Sequence, residues 1–386
     1  MKRNWKALLS VMLIMMLALT ACASTPSQTP QEAPAESAGE AAAESTEAEE
    51  AAAEEAATEE TAEEAPAGVL QNKLFSIELP EDVLDIYDAE ITDESIRIYH
   101  KASRENYGGF AFGFSAFEDP GDYFGGMTPK IGEVTGADGK LYDLVSERPS
   151  DVQYDFENKE AEEEYRKLYD IFGDVSETLT GVEGATVALG AGTKGEDLYA
   201  EQLAKHRQSI EEGWDASKLE EEDMSPMYAV IAASTENPMD HIGYAYRDSN
   251  YDGIDELFVG EITEGEWKGI VYDVYTIADR KPVHAMSGTD RARLYALESA
   301  DLCCEYSGGA GLSGYRYISI EPGTGEVVQS VDFKIDTYED PDAPWFVSYS
   351  FDPENPEWEA LSEEDWEQRR SNFGEYERFD YTPLSE

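Results

Sequence analysis

The sequence predicts an α+β protein: two domains built on antiparallel sheets, each with packed helices, that follow a signal peptide and a disordered linker. Short runs of alternating apolar and polar residues predict half-buried strands, and stretches with helical spacing lie between them. A segment rich in Ala and Glu separates these patterns from an apolar N-terminus. The predicted ranges are 1–21 for the signal peptide, 22–68 for the linker, 69–190 for the first domain and 195–386 for the second.

The N-terminus has the pattern of an export signal. Three basic residues within the first six positions precede the apolar run 7–19, which is too short to span a membrane as a helix. The run leads into Leu19-Thr20-Ala21-Cys22, which resembles the lipobox of bacterial lipoproteins. That resemblance implies that Cys22 is lipidated, for example with palmitate, and becomes the mature N-terminus. The lipid would hold the protein on the outer face of the bacterial cytoplasmic membrane. Secretion without a lipid is the alternative.

The segment that follows Cys22 is predicted to be a disordered tether. Residues 23–68 contain no basic and no aromatic residue and consist largely of Ala, Glu, Ser, Thr and Pro. Such a composition cannot bury enough apolar surface to offset the loss of chain entropy. We therefore expect it to hold the folded part away from the bilayer.

The charge of the chain limits its partners. The sequence has 84 acidic and 28 basic residues, and a formal net charge of −56. A surface of this sign repels phosphate backbones, which argues against nucleic acid as a partner. The membrane, reached through the lipid, and a cell-envelope protein or glycan are the partners we expect. A simple gain in solubility also explains the charge.

The first domain begins with strand patterns and then changes to a helical one. Alternation predicts strands at 75–79, 96–98 and 110–114, and another near 141–145. A helix is predicted over 158–173, with one apolar face formed by Ala161, Tyr165, Leu168, Tyr169 and Phe172. This order of elements resembles the small α+β domains of the PsbP type from photosystem II. The glycine-rich stretch 181–194 is predicted to be the linker to the second domain.

The second domain begins with helical patterns and continues with strands. Helices are predicted over 196–214 and over about 226–233, and a last one over 363–373 with Ser362 as its N-cap. Strands are predicted at 270–277 and 293–297, and a hairpin from 315–320 and 327–333. Helices followed by a run of strands indicate an α+β fold with a meandering antiparallel sheet.

One acidic stretch between two predicted strands has the spacing of a calcium-binding loop. Oxygen-bearing residues stand at positions 1, 3, 5 and 9 of the segment from Asp248 to Glu256, and glycine stands at position 6. Calcium binds six to eight oxygens, which alternate side chains of a curled loop can supply. The expected ligands of a structural calcium ion are the side chains of Asp248, Asn250 and Asp252, the carbonyl of Ile254, and Glu256 either directly or through water.

The flanks of this loop do not match an EF-hand. An EF-hand has Glu at position 12, where this chain has Val259, and the flanking residues favour strands over helices. The loop instead resembles the nine-residue calcium loops of integrin-type propeller repeats. The stretch from Tyr244 onward also resembles uncharacterised Gram-positive lipoproteins with a DxDxDGxxEL loop, which implies no established activity. A hairpin turn of Asp, Asn and Gly without an ion is the alternative.

The sequence contains no recognisable catalytic motif, so we name no catalytic residue. No two of the four histidines are three or four positions apart, and Ser313 lacks the second glycine of a nucleophile elbow. The adjacent Cys303 and Cys304 would face opposite sides of a strand. We expect them to be reduced thiols, one of them buried, with a vicinal disulfide as the alternative.

These observations favour a non-catalytic lipoprotein that binds or presents something at the cell envelope. Whether it is an enzyme stays open. One alternative is an extracellular hydrolase that acts on glycan or cell-wall material. Another is a sensor or accessory subunit of a membrane complex.

Overall fold

Antiparallel pairing joins every strand in three sheets of the described residues. The structure is a computed structural model that describes residues 67–119, 128–350 and 355–386. The α+β class predicted from the sequence is confirmed for these ranges. The predicted signal peptide, the lipidation site Cys22 and nearly all of the predicted linker lie outside the described residues.

The N-terminal strands form a three-stranded and a six-stranded sheet. The spatial orders are β1-β2-β8 and β3-β4-β5-β7-β6-β9. The strands are β1 (Val69–Gln71), β2 (Phe75–Glu78), β3 (Tyr87–Ile91), β4 (Ser95–His100), β5 (Phe110–Phe117), β6 (Lys130–Thr135), β7 (Leu141–Glu147), β8 (Thr180–Gly181) and β9 (Thr186–Leu189).

The predicted helix over 158–173 packs on the six-stranded sheet. It divides at Ile171 into two helices, and Asn158 caps the first by accepting from the backbone N–H of Ala161. Leu168 lies in one core cluster with Phe112 and Phe114 of β5. The helices of this part are α1 (Arg104–Tyr107), α2 (Lys159–Asp170) and α3 (Phe172–Ser176), and a 3-10 turn covers Glu81–Val83.

The prediction of a linker over 181–194 is wrong. Strand β9 lies within it and pairs with β6 from Gly132 to Thr135. Gly184 and Gly190, which stand on either side of β9, have φ values of 92° and 77°. These glycines therefore form the turns that a strand needs at its ends, and the stretch belongs to the sheet.

The C-terminal strands form a meandering antiparallel sheet of eleven strands, as the sequence predicts. The order is β19-β18-β17-β16-β15-β14-β12-β11-β10-β20, and β13 pairs with β12 beside this path. The strands are β10 (Ile242–Arg247), β11 (Glu256–Glu261), β12 (Ile270–Ala278), β13 (Lys281–Ser287), β14 (Ala292–Ala296), β15 (Leu302–Gly309), β16 (Leu312–Ile320), β17 (Val327–Asp336), β18 (Trp345–Ser348), β19 (Glu359–Ala360) and β20 (Thr382–Pro383).

The helices of this part lie mainly before the sheet in sequence. The predicted helix over 196–214 divides at Tyr199 into two helices. The prediction of a last helix with Ser362 as its N-cap is confirmed, and the Ser362 hydroxyl accepts from the N–H of Asp365 at 3.1 Å. The helices are α4 (Gly195–Leu198), α5 (Ala200–Glu211), α6 (Ala216–Glu221), α7 (Met227–Ser234), α8 (Pro238–His241) and α9 (Glu363–Ser371), with a 3-10 turn at Gly265–Trp267.

Apolar residues fill both faces of the large sheet. Leu203 of α5 and Ile231 of α7 pack with Tyr272 of β12 on one face, while Val274 and Leu294 lie in a cluster on the other. The described residues all belong to one compact unit. Within the described ranges, no helix has the length and apolar character needed to cross a membrane.

Candidate functional site

The acidic loop lies between two antiparallel strands, as its flanks predict. Arg247, at the end of β10, pairs with Glu256, at the start of β11. Tyr251 and Gly253 have φ values of 62° and 85°, so the loop turns at the glycine predicted to need the left-handed region. This setting is not the helix–loop–helix of an EF-hand.

Three side chains of the loop fold back onto its own backbone. Asp248 Oδ2 accepts from the N–H of Gly253 at 3.1 Å, and Asn250 Oδ1 accepts from the N–H of Asp252 at 3.0 Å. Asp252 Oδ1 accepts from the N–H of Ile254 at 2.8 Å. Asp and Asn form such turns with or without an ion, so these bonds explain the shape of the loop by themselves.

Two carboxylates of the loop lie in surroundings unfavourable to an isolated negative charge. Asp252 is 3% exposed. Burial raises its pKa to about 6, against the lowering effect of the bond from Ile254. The pKa of Asp248 is also raised, chiefly by burial. Its Oδ1 is buried and has no hydrogen-bond partner among the described residues. The backbone N–H groups of Gly253, Tyr251 and Asn250 act in the opposite direction and lower this pKa. A buried acceptor without a well-aligned donor costs stability.

Glu256 is fully buried and tied to protein donors. Its Oε2 accepts from the N–H and the hydroxyl of Ser249 at 2.6 and 2.7 Å, and its Oε1 accepts from the Thr276 hydroxyl at 3.0 Å. Burial, and after it the charge of Asp252, raises the pKa of Glu256 to about 8. In this arrangement Glu256 joins the start of the loop to strand β12.

The described residues contain no group of three His, Cys, Asp or Glu side chains arranged to hold a metal ion. Carboxylates alone therefore do not complete a site at this loop. A calcium ion would also need the Asn250 amide oxygen, the Ile254 carbonyl and water, all of which calcium accepts as ligands.

The loop also contacts the six-stranded sheet, which the sequence did not reveal. The N–H of Lys130 on β6 donates to the carbonyl of Asp252 at 2.6 Å. The Lys130 ammonium is buried and lies 2.8 Å from Asp143 Oδ1, to which Arg280 Nε donates at 3.1 Å. These charges line a small cavity of about 70 Å³ beside the loop.

A larger groove of about 600 Å³ lies beside β10. Residues from three parts of the fold surround it. Its lining comprises Glu196, Ala200, Leu203 and Arg207 from α4 and α5, Tyr244, Ala245 and Tyr246 from β10, and Phe379, Asp380 and Thr382 near the C-terminus. No local sequence motif marks this groove, because its walls are brought together only by folding.

Among the described residues, two histidines lie beside both a serine and an acid, and neither grouping can act as a catalytic triad. His100 lies 2.8 Å from the Ser103 hydroxyl and 3.1 Å from Glu164, but Ser103 is 1% exposed and a substrate cannot reach it. In the second grouping a single nitrogen of His284 faces both a serine and an acid. A triad uses one ring nitrogen for each.

Cys303 and Cys304 are free thiols in this structure. They belong to core clusters on opposite faces of the sheet, and both are buried where one was expected. Burial raises the pKa of Cys303 to about 12 and that of Cys304 to about 11. Both thiols are protonated at neutral pH and therefore poor nucleophiles.

Comparison of the chain with protein-family models, with curated proteins and with solved structures found no match.

Proposed function

We propose that the chain is a lipid-anchored extracytoplasmic lipoprotein. Its folded part would be a non-catalytic binding module at the bacterial envelope, braced by a structural calcium ion. The anchor is supported by the tetrapeptide that ends in Cys22 and by the short apolar run before it. The strongly acidic chain and the open groove beside β10 support a binding role outside the cell.

The observation that carries the calcium proposal is the buried Asp248 Oδ1 without a donor, next to the nearly buried carboxylate of Asp252. Like charges repel at short range, and a divalent cation removes that repulsion. The side chains of Asp248, Asn250 and Asp252 and the carbonyl of Ile254 would bind the ion, and Glu256 would close the site through water while it holds Ser249.

We further propose that residues 69–190 and 195–386 fold as two α+β domains. The separate core clusters of the six-stranded and the eleven-stranded sheets support this division. The contact of Lys130 with Asp252 would then be a domain interface.

Calorimetric titration tests the calcium site. The mature chain, residues 22–386 with Cys22→Ser so that no lipid is attached, should bind one calcium ion with a Kd on the order of 10⁻⁴–10⁻³ M. Asp248→Ala should abolish the heat of binding, while Asp138→Ala, in an exposed turn of the six-stranded sheet, should leave it unchanged. Equal binding by both variants would contradict the assignment.

Labelling tests the anchor. A bacterium that expresses the whole chain and is fed radiolabelled palmitate should label the protein and retain it in the membrane fraction. Cys22→Ala should remove the label. A labelled Cys22→Ala variant, or an unlabelled parent, would rule out lipidation at Cys22.

A further inference from the structure

The groove beside β10 contains polar groups that no other part of the described protein uses. Arg207 Nε donates to the carbonyl of Leu384 at 2.7 Å, which fixes the guanidinium group. Its two terminal nitrogens donate no hydrogen bond to a described residue and form no ion pair with one. Glu196 makes no hydrogen bond and no ion pair with the described residues. A fixed donor fork and an unpaired carboxylate therefore line the same groove.

Aromatic rings form the apolar part of the groove. The rings of Tyr244 and Tyr246 lie with centroids 5.4 Å apart, and Tyr246 stacks on Tyr199 at 6.2 Å. This stacking limits the movement of Tyr246. The hydroxyl groups of Tyr244 and Tyr246 donate to no described residue, so both can bond to a ligand. Tyrosine presents an apolar face and a polar tip to whatever lies beside it.

The charges in the groove nearly balance. The lining contains one positive group, Arg207, and two negative groups, Glu196 and Asp380. The carboxylate of Asp380 is already paired with the Lys268 ammonium at 2.5 Å. An anionic ligand would meet Glu196 and the field of a chain with net charge −56, and a cationic ligand would meet Arg207. The balance favours an uncharged ligand.

We propose that this groove binds a neutral oligosaccharide, with a pyranose ring placed against Tyr244 and Tyr246. A sugar ring has an apolar C–H face for the tyrosine rings and hydroxyl groups that both donate and accept hydrogen bonds. Arg207 donates to a sugar oxygen, and Glu196 accepts from a sugar hydroxyl. The volume of about 600 Å³ lies within the range of small-molecule sites and admits a short oligosaccharide. This inference rests on the proposed binding role and adds the class of ligand.

Titration with defined neutral sugars tests the proposal. The mature chain with Cys22→Ser, saturated with calcium, is titrated by calorimetry with maltohexaose, cellohexaose, xylohexaose and mannohexaose, each up to about 10 mM. We expect at least one to bind with an affinity that changes little between low and high salt, because no net charge is neutralised.

Two substitutions locate the binding. Tyr244→Ala removes the ring, and Arg207→Lys keeps the charge but loses the donor fork. Each should weaken binding by at least about tenfold. Tyr338→Ala is the matched control, since Tyr338 is 71% exposed and does not line the groove. Its affinity should equal that of the parent. Melting curves establish that each variant is folded.

The proposal is overturned if none of the four sugars gives a heat of binding, or if both groove variants bind as well as the parent. It is also overturned if trilysine or glutamate displaces the sugar at low salt only, because the groove would then be a site for charged ligands. Calcium binding and lipid labelling do not depend on Tyr244 or Arg207. If no sugar binds but calcium binding and lipid labelling are both observed, the lipoprotein proposal stands without the groove inference. If calcium binding and lipid labelling are both absent, the lipoprotein proposal is refuted whatever the sugars do.

Discussion

The backbone N–H of Lys130 donates to the carbonyl of Asp252 across 2.6 Å, and this bond joins the six-stranded sheet to the acidic loop of the larger sheet. The next residue in the loop, Gly253, has a φ of 85° and lies against the same strand. A Cβ at Gly253 would lie 2.1 Å from the carbonyl oxygen of Lys130. The conformation of the loop and the contact between the sheets therefore depend on each other.

Gly253→Ala should destabilise the protein by about 3 kcal/mol, because it adds a steric clash with backbone to the strain of a left-handed residue. The matched control is Gly139→Ala. Gly139 has a φ of 83° and no atom within 4 Å of its Cβ position, so its cost of about 1 kcal/mol is conformational alone. Urea unfolding of both variants measures the difference. Equal losses would show that the loop moves away from Lys130 without cost.

The buried charges beside this contact give a second prediction. Asp143 is 1% exposed and accepts from Lys130 and Arg280. Asp143→Asn leaves the Lys130 ammonium buried with fewer negative partners and should cost about 3 kcal/mol. Lys140→Met breaks the solvent-exposed pair with Glu118 and should leave the free energy of unfolding almost unchanged. Chemical denaturation compares the two, and similar losses would contradict the role given to Asp143.

Local sequence patterns predicted the strands and helices whose apolar residues repeat at a regular spacing. Phe112 and Phe114 of β5 are buried, and so are Ala161, Tyr165 and Leu168 on the apolar face of α2. Their spacing matches the repeat of two residues in a strand and of about 3.6 in a helix. The same reasoning missed β9 and β13. Strand β9 lies among glycines. Strand β13 has no fully buried residue, so its sequence does not alternate between apolar residues for a buried face and polar residues for an exposed one. Their pairing comes from neighbouring strands, which no local pattern records.

The candidate site was predictable only where its residues are close in sequence. The spacing from Asp248 to Glu256 marked the loop, and the turn at Gly253 followed from it. Lys130 is more than a hundred positions away, and it reaches the loop only because the two sheets meet. The groove has the same origin, since Arg207 and Tyr244 come from different elements.

Calcium should raise the melting temperature of the mature chain. A ligand that binds only the folded state stabilises it by about 1.4 kcal/mol when its concentration is about ten times Kd, which corresponds to a few degrees. Asp252→Ala should lose this shift, because Asp252 is both an expected ligand and the acceptor of the Ile254 N–H. Differential scanning fluorimetry with calcium and with magnesium measures it. An equal shift in parent and variant would remove the ion from this loop.

A buried histidine should control part of the pH dependence of stability. His206 of α5 lies edge-on to the rings of Tyr228 and Tyr275, and neither ring nitrogen has a hydrogen-bond partner among the described residues. Burial lowers its pKa to about 4, against the opposing charge of Asp273. Lys205 and His284 act in the same direction as burial. The folded state therefore keeps this ring neutral over most of the pH range.

In the unfolded chain His206 binds a proton near pH 6.5, whereas in the folded chain it does so only near pH 4. The contribution of the neutral ring to the free energy of unfolding is therefore fully present above pH 6.5 and falls as the pH drops towards 4. The loss from this group should reach about 3 kcal/mol. His206→Phe keeps the ring and loses no hydrogen bond, so its free energy of unfolding at pH 7.5 should lie within about 1 kcal/mol of the parent. Urea unfolding at pH 7.5 and at pH 4.5, with calcium constant, should give a smaller decrease for the variant. An identical decrease in both proteins would show that His206 is protonated in the folded state, and that the acid sensitivity arises from the carboxylates.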